Sequence, residues 1–199
     1  MANQQIAAYA EMVNLQMAAE AFWSQMARGS TARDVARAGN TANSKEPDAI
    51  ANLFDGDLPR YKLIAHQDLT LNPNKTIPGA VEKSGLSASV FYDTVSQQYT
   101  LSIRSTEFAS PIRDSGDIDA NRDEISAYGW AFGQINSLEA FWTSLTNGTA
   151  SNGVNAVTIP NPADLAGFQA AMLAGGRVNV TGYSLGGNVA EELKGPGSN

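Results

Sequence analysis

Residues 177–193, RVNVTGYSLGGNVAEEL, constrain this chain more than any other stretch. The β-branched residues Val178, Val180 and Thr181 read as a strand, residues 188–193 read as a helix, and Gly182-Tyr183-Ser184-Leu185-Gly186 joins the two. A strand that turns sharply into a helix through Gly-x-Ser-x-Gly is a nucleophile elbow. The glycines two residues either side of the serine lack the Cβ atoms that would collide in such a turn, so the Ser184 hydroxyl stands clear of the backbone. The Leu185 amide then belongs to the first turn of the helix, where unpaired N–H groups and the helix dipole favour a developing negative charge. Ser184 is thus the candidate nucleophile, the Leu185 N–H the first oxyanion donor, and Gly182 and Gly186 the residues that permit the turn. The competing reading of the same letters is an ordinary glycine-rich strand-to-helix turn.

Composition removes several other chemistries. The chain has no cysteine, which excludes a disulfide framework, a thiolate metal site and a cysteine nucleophile, and its single histidine, His66, cannot build a multi-histidine metal centre. No metal or cofactor is expected. A formal net charge of −7 with no basic stripe argues against a nucleic-acid partner held through phosphates. No run of about eighteen apolar residues suggests a membrane span. The first residues, MANQQIAAYAEM, lack the basic start and apolar core of a cleavable secretory signal. Export by a signal-independent bacterial route stays open, and oligomeric state is not written in the sequence.

At 199 residues the expectation is one domain, with a helical N-terminal region at 1–58 and a sheet core at 59–199. Residues 3–27 hold no glycine or proline and place Ile6, Tyr9, Ala10, Val13 and Met17 on one helical face, followed by Ala21, which predicts an amphipathic helix lying on the core. Met12, Met17 and Met26 do not share one face and read as gap-filling core. Short helices are expected over 31–38 and 47–53. Residues 61–65 read as a short strand, with His66 at the start of a polar surface loop reaching Lys83. Residues 88–93 and 98–103 read as an antiparallel hairpin. A long helix is expected over 124–145 with Ile125, Tyr128, Phe132, Ile135, Leu138, Phe141 and Trp142 inward, a loop over 147–162, and a helix over 163–173. The alternation of strand and helix in the C-terminal half predicts an α/β fold. Asp117, Asp119, Asn121 and Asp123 are spaced like the start of a calcium loop, but Arg122 stands where glycine is needed and no twelfth-position glutamate follows; a solvated acidic loop fits better. Asn147-Gly148-Thr149 fits a glycosylation acceptor, yet reads more simply as a turn.

Taken together, the hairpin ending in IRSTE, the helix containing Gln134 of FGQI, a short helix, and VNVTGYSLGGNVA resemble the bacterial lipases related to the fungal-type class three lipases. The resemblance covers about the last 110 residues well and the N-terminal part loosely, as judged from motifs of the elbow type. It implies an α/β-hydrolase sheet with flanking helices and a second oxyanion donor at the end of a strand, which falls here on Thr106. Ser105 replaces the family's glycine beside it. Independently, a hydroxyl residue at a strand's carboxyl end next to the elbow lies where α/β sheets place their sites.

A serine hydrolase also needs a general base and a carboxylate to orient it, and in this fold the chain order is Ser, then Asp or Glu, then His. After Ser184 only fifteen residues remain, with Glu191 and Glu192 and no histidine. The expectation is therefore the N-terminal part of a lipase or carboxylesterase acting on acylglycerol or phospholipid esters, its sheet incomplete at the C-terminus and its Asp and His supplied from outside this chain, by the remaining C-terminal part of the same domain or by another chain. The alternative is a non-catalytic, degenerate module that binds a partner chain.

Overall fold

A computed structural model describes residues 2–39, 48–69, 84–104, 131–152 and 157–182. Strand β1 (Tyr61–Asp68) pairs antiparallel with β2 (Ser87–Asp93), and β2 pairs antiparallel with β3 (Gln98–Ile103). The two-residue β4 (Val157–Thr158) lies antiparallel to β1, and β5 (Val178–Gly182) lies parallel to β3. Among the described residues this makes a mixed five-stranded sheet in the order β4-β1-β2-β3-β5, flanked by helices, so the fold is of the α/β kind. The expected hairpin is present, closed by the Asp93 carboxylate, which accepts from the Val95 amide at 2.8 Å, and by Gln97 in the left-handed region at φ 57°. The predicted elbow strand is β5, while β4 falls inside the stretch read as loop; two residues are too few to leave a period-two signal.

Alternation along the strands gives the sheet two unlike faces. One face carries Ala65, Ala88, Val90, Leu101 and Ile103, and packs beneath α4 (Phe132–Thr146) and α5 (Pro162–Leu173) through Leu138, Phe141, Leu145, Leu165 and Phe168. The other carries Tyr61, Leu63 and Phe91 beneath an N-terminal layer. That layer comprises α1 (Ala2–Ala19), a 3-10 turn (Trp23–Arg28), α2 (Ala32–Ala38), α3 (Asp48–Ala51) and a second 3-10 turn (Asn52–Phe54). Trp23, Phe54, Tyr61 and Phe91 meet there with ring centroids 5.0–5.7 Å apart. Local sequence starts the helices: Thr31 accepts from the Asp34 amide at 3.2 Å, and Asn161 accepts from the Ala163 amide at 3.0 Å with Pro162 at the first helical position. Gly175, at φ 81°, ends α5, and a Cβ on Gly176 would meet the Ala171 carbonyl oxygen at 2.6 Å.

Two expected helix faces differ from those observed. On α1, Ile6, Tyr9 and Val13 are exposed, and the buried residues are Leu15, Gln16, Ala18 and Ala19. Close approach to the sheet is made by small side chains near the end of the helix, which a search for large apolar residues overlooks. On α4, Leu138 and Phe141 are buried as expected, while Phe132, at the first turn, is exposed. Ile125, Tyr128 and the acidic loop at 117–123 lie outside the described residues. No helix among the described residues is long and apolar enough to cross a membrane.

Candidate active site

Because β1 and β3 are both antiparallel to β2, and β5 is parallel to β3, the three strands β1, β3 and β5 run the same way and end at one side of the sheet. β3 and β5 are neighbours with Ile103 opposite Gly182, so their carboxyl ends stand level. Two residues beyond Gly182 in sequence is Ser184, and three beyond Ile103 is Thr106. Gly182 itself closes β5; Ser184, Leu185, Gly186 and Thr106 lie outside the described residues.

Beneath these strand ends, the sheet face that turns toward α1 is polar. One register row reads Thr158, His66, Ser89, Ser102, Thr181 from β4 to β5. Ser102 Oγ donates to the Leu15 carbonyl at 3.2 Å, and Gln16 Nε2 donates to the Ile103 carbonyl at 3.0 Å, so α1 covers this row with hydrogen-bonding groups. Two residues further toward the strand ends, Asp68 and Arg104 approach at 3.6 Å between Oδ1 and Nη2, with Arg104 Cζ 5.3 Å from the centroid of the Phe22 ring. Both are almost wholly buried.

His66 is a residue of β1 and fully buried, which corrects its placement at the edge of a surface loop; β1 runs three residues past the expected end. Its Nδ1 lies 2.9 Å from Ser89 Oγ and its Nε2 is 4.0 Å from Asp68 Oδ2. A hydroxyl, an imidazole and a carboxylate in sequence invite comparison with a catalytic triad. The comparison fails: the imidazole–carboxylate distance exceeds hydrogen-bond length, and Ser89 is as buried as the ring, leaving a substrate no approach. Burial lowers the imidazole pKa to about 4, an effect that the nearby Asp68 carboxylate opposes and the Arg104 guanidinium reinforces, with a backbone hydrogen bond to Ala88 acting in Asp68's direction. Nor does His66 stand near β5. Three strand spacings separate it from Thr181 in the row, ~14 Å.

Sequence reasoning passed over Asp68, Ser89 and Arg104. The signal for them was the period-two polar series Ser87, Ser89 on β2 and Thr100, Ser102 on β3, which faces the continuation of β1 in register. Asn147 behaves as the expected turn residue, its carboxamide oxygen accepting from the Thr149 amide at 3.0 Å. A groove of about 570 Å³ between α1 and the sheet edge is lined by Tyr9, Met12, Leu15, Thr100, Val178 and Asn179 among others, which sets it toward the amino-terminal ends of β3 and β5, away from Gly182. Among the described residues no group of three or more His, Cys, Asp or Glu side chains could hold a metal ion. Comparison with protein-family models, with curated proteins and with solved structures finds no match for this chain.

Proposed function

We propose that this chain carries the nucleophile-bearing part of a serine ester hydrolase of the α/β-hydrolase fold, a lipase or carboxylesterase acting on acylglycerol or phospholipid esters. The observation that carries the reading is the parallel, level pairing of β3 and β5 at Ile103 and Gly182. It brings the strand that leads to Thr106 and the strand that leads to Ser184 side by side at their carboxyl ends, the relation an oxyanion donor and a nucleophile require. In the proposed reaction Ser184 Oγ attacks the ester carbonyl and its proton passes to a histidine. The carbonyl oxygen, now negative, is held by the Leu185 N–H and by Thr106. Collapse breaks the ester C–O bond, the histidine returns the proton to the leaving alkoxide, and water releases the acyl group by the same steps. No cofactor enters.

The histidine and the orienting aspartate lie outside this chain in the proposal, since His66 is enclosed and ~14 Å from β5 by strand spacing. The rival reading, a non-catalytic module that binds a partner chain, is favoured by β5 having a strand neighbour on one side only among the described residues. Hydrolysis of p-nitrophenyl esters and labelling by a fluorophosphonate, with intact mass to fix the polypeptide, separate the two. The 199-residue chain is expected to be inert, and a polypeptide that includes the remainder of the domain to be labelled at Ser184 and silenced by Ser184→Ala. Turnover by the 199-residue chain that Ser184→Ala abolishes would overturn the external base; an inert, unlabelled complete polypeptide would overturn the hydrolase reading.

A further inference from the structure

We propose that Asp68 and Arg104 form a positioning clamp: the carboxylate that ends β1 holds the guanidinium that follows β3, and thereby fixes the point from which the chain leaves toward Thr106. The inference rests on reading Thr106 as an oxyanion donor, while the clamp consists of described residues alone. Four contacts converge on the two residues Ile103 and Arg104. Gln16 Nε2 donates to the Ile103 carbonyl at 3.0 Å, and the Arg104 amide donates to the Ser87 carbonyl at 2.9 Å. The guanidinium is 3.6 Å from Asp68 and 5.3 Å from the centroid of the Phe22 ring. These partners come from α1, β2, β1 and the turn after α1, so the end of β3 is tied to the elements packed around it in addition to its pairing with β5.

A buried ion pair is a poor means of gaining stability, because desolvation offsets most of the attraction and apolar residues of similar volume would serve as well. What apolar residues cannot supply is direction. A guanidinium is planar and rigid, and between a carboxylate and a ring face it has one comfortable orientation. A backbone or hydroxyl donor aimed at a developing oxyanion needs that kind of fixed anchor, since small misplacements remove most of its effect. His66 lies beside the carboxylate without a hydrogen bond to it: its Nε2 is 4.0 Å from the second Asp68 oxygen, and its other nitrogen is held by Ser89. Asp68 acts through Arg104 and is a positioning residue, not a catalytic one.

Nuclear magnetic resonance tests the clamp without any turnover, so an inert Ser184 and a failed clamp are separate results. In the wild-type protein the Arg104 guanidinium is expected to give resolved, slowly exchanging N–H signals; one averaged, rapidly exchanging signal would overturn the proposal. Asp68→Asn removes the charge and keeps the volume. It should speed hydrogen exchange of the Arg104 amide on the order of tenfold or more while amides inside α4 stay within about twofold of wild type. Arg104→Lys, which keeps charge but loses the planar fork, should do the same. An equal rise throughout α4 would make the pair a general stabiliser, and an unchanged Arg104 amide would make it idle; either overturns the proposal. If neither variant folds, the wild-type guanidinium signal decides.

Discussion

Between pH 6.5 and about 4, the unfolded chain and the folded protein differ by a proton at His66, because burial lowers the folded pKa while the unfolded imidazole keeps its ordinary value. The sign follows from linkage. As pH falls, the unfolded chain binds its proton first, so the stability this group contributes is complete above pH 6.5 and is lost progressively down to about pH 4. The loss amounts to roughly 3 kcal/mol across that window. Urea unfolding of the wild type and of His66→Gln, followed at half-unit pH steps, should give curves that converge toward acid pH; parallel curves would show that the imidazole is not kept neutral by the fold. The same residue marks a boundary of what could be read in advance. Tyr61 to Ala65 advertise a strand by their side chains, whereas His66, Gln67 and Asp68 look like loop until the facing residues are known. The burial of His66 and Asp68 is made tolerable by partners that no local window contains, Ser89 on β2 for the imidazole and Arg104, just past β3, for the carboxylate.

Elements were legible where their own side chains bury them. The hairpin of β2 and β3, the helix α5 with its Asn161-Pro162 start and its glycine stop, and β5 all announce themselves, since period, cap and breaker are local. The orientation of α1 was not, because its contact with the sheet uses Leu15, Ala18 and Ala19 and leaves the larger Ile6, Tyr9 and Val13 outside. Replacing Ile6 or Val13 by Lys should therefore change stability by no more than about 0.5 kcal/mol in denaturant titration, whereas an inward-facing apolar side chain would cost several times that. Phe91 is the opposite case. Fully buried, with Trp23 and Phe54 each at 5.7 Å between ring centroids, it joins the N-terminal layer to the sheet, and Phe91→Ala should cost about 3 to 5 kcal/mol. In the hairpin turn, Gln97 holds a positive φ that favours glycine, so Gln97→Gly should stabilise by about 0.5 to 1 kcal/mol in the same titration.

At the scale of the whole molecule, the sheet has unequal edges. β4 is two residues long and offers little to a further strand, but β5 is five residues long and only partly buried, with β3 as its one neighbour among the described residues. The strand itself was legible in the sequence, and the strand order that puts β3 beside it was not. Parallel pairing of two strands separated by 74 intervening positions, 104–177, is set by crossover topology, which leaves no trace in either strand's own letters. A strand paired on one side opens more easily than one paired on both, since fewer hydrogen bonds and contacts must break. Hydrogen exchange followed by mass spectrometry should accordingly find peptides spanning 178–182 exchanging on the order of tenfold or more faster than those spanning 87–93, although both belong to one sheet. In a polypeptide that contains the remainder of the proposed domain, the difference should close, as a further strand takes the outer side of β5. Equal protection of the two strands in the 199-residue chain would mean that the outer side is already occupied, and β5 would then be an interior strand.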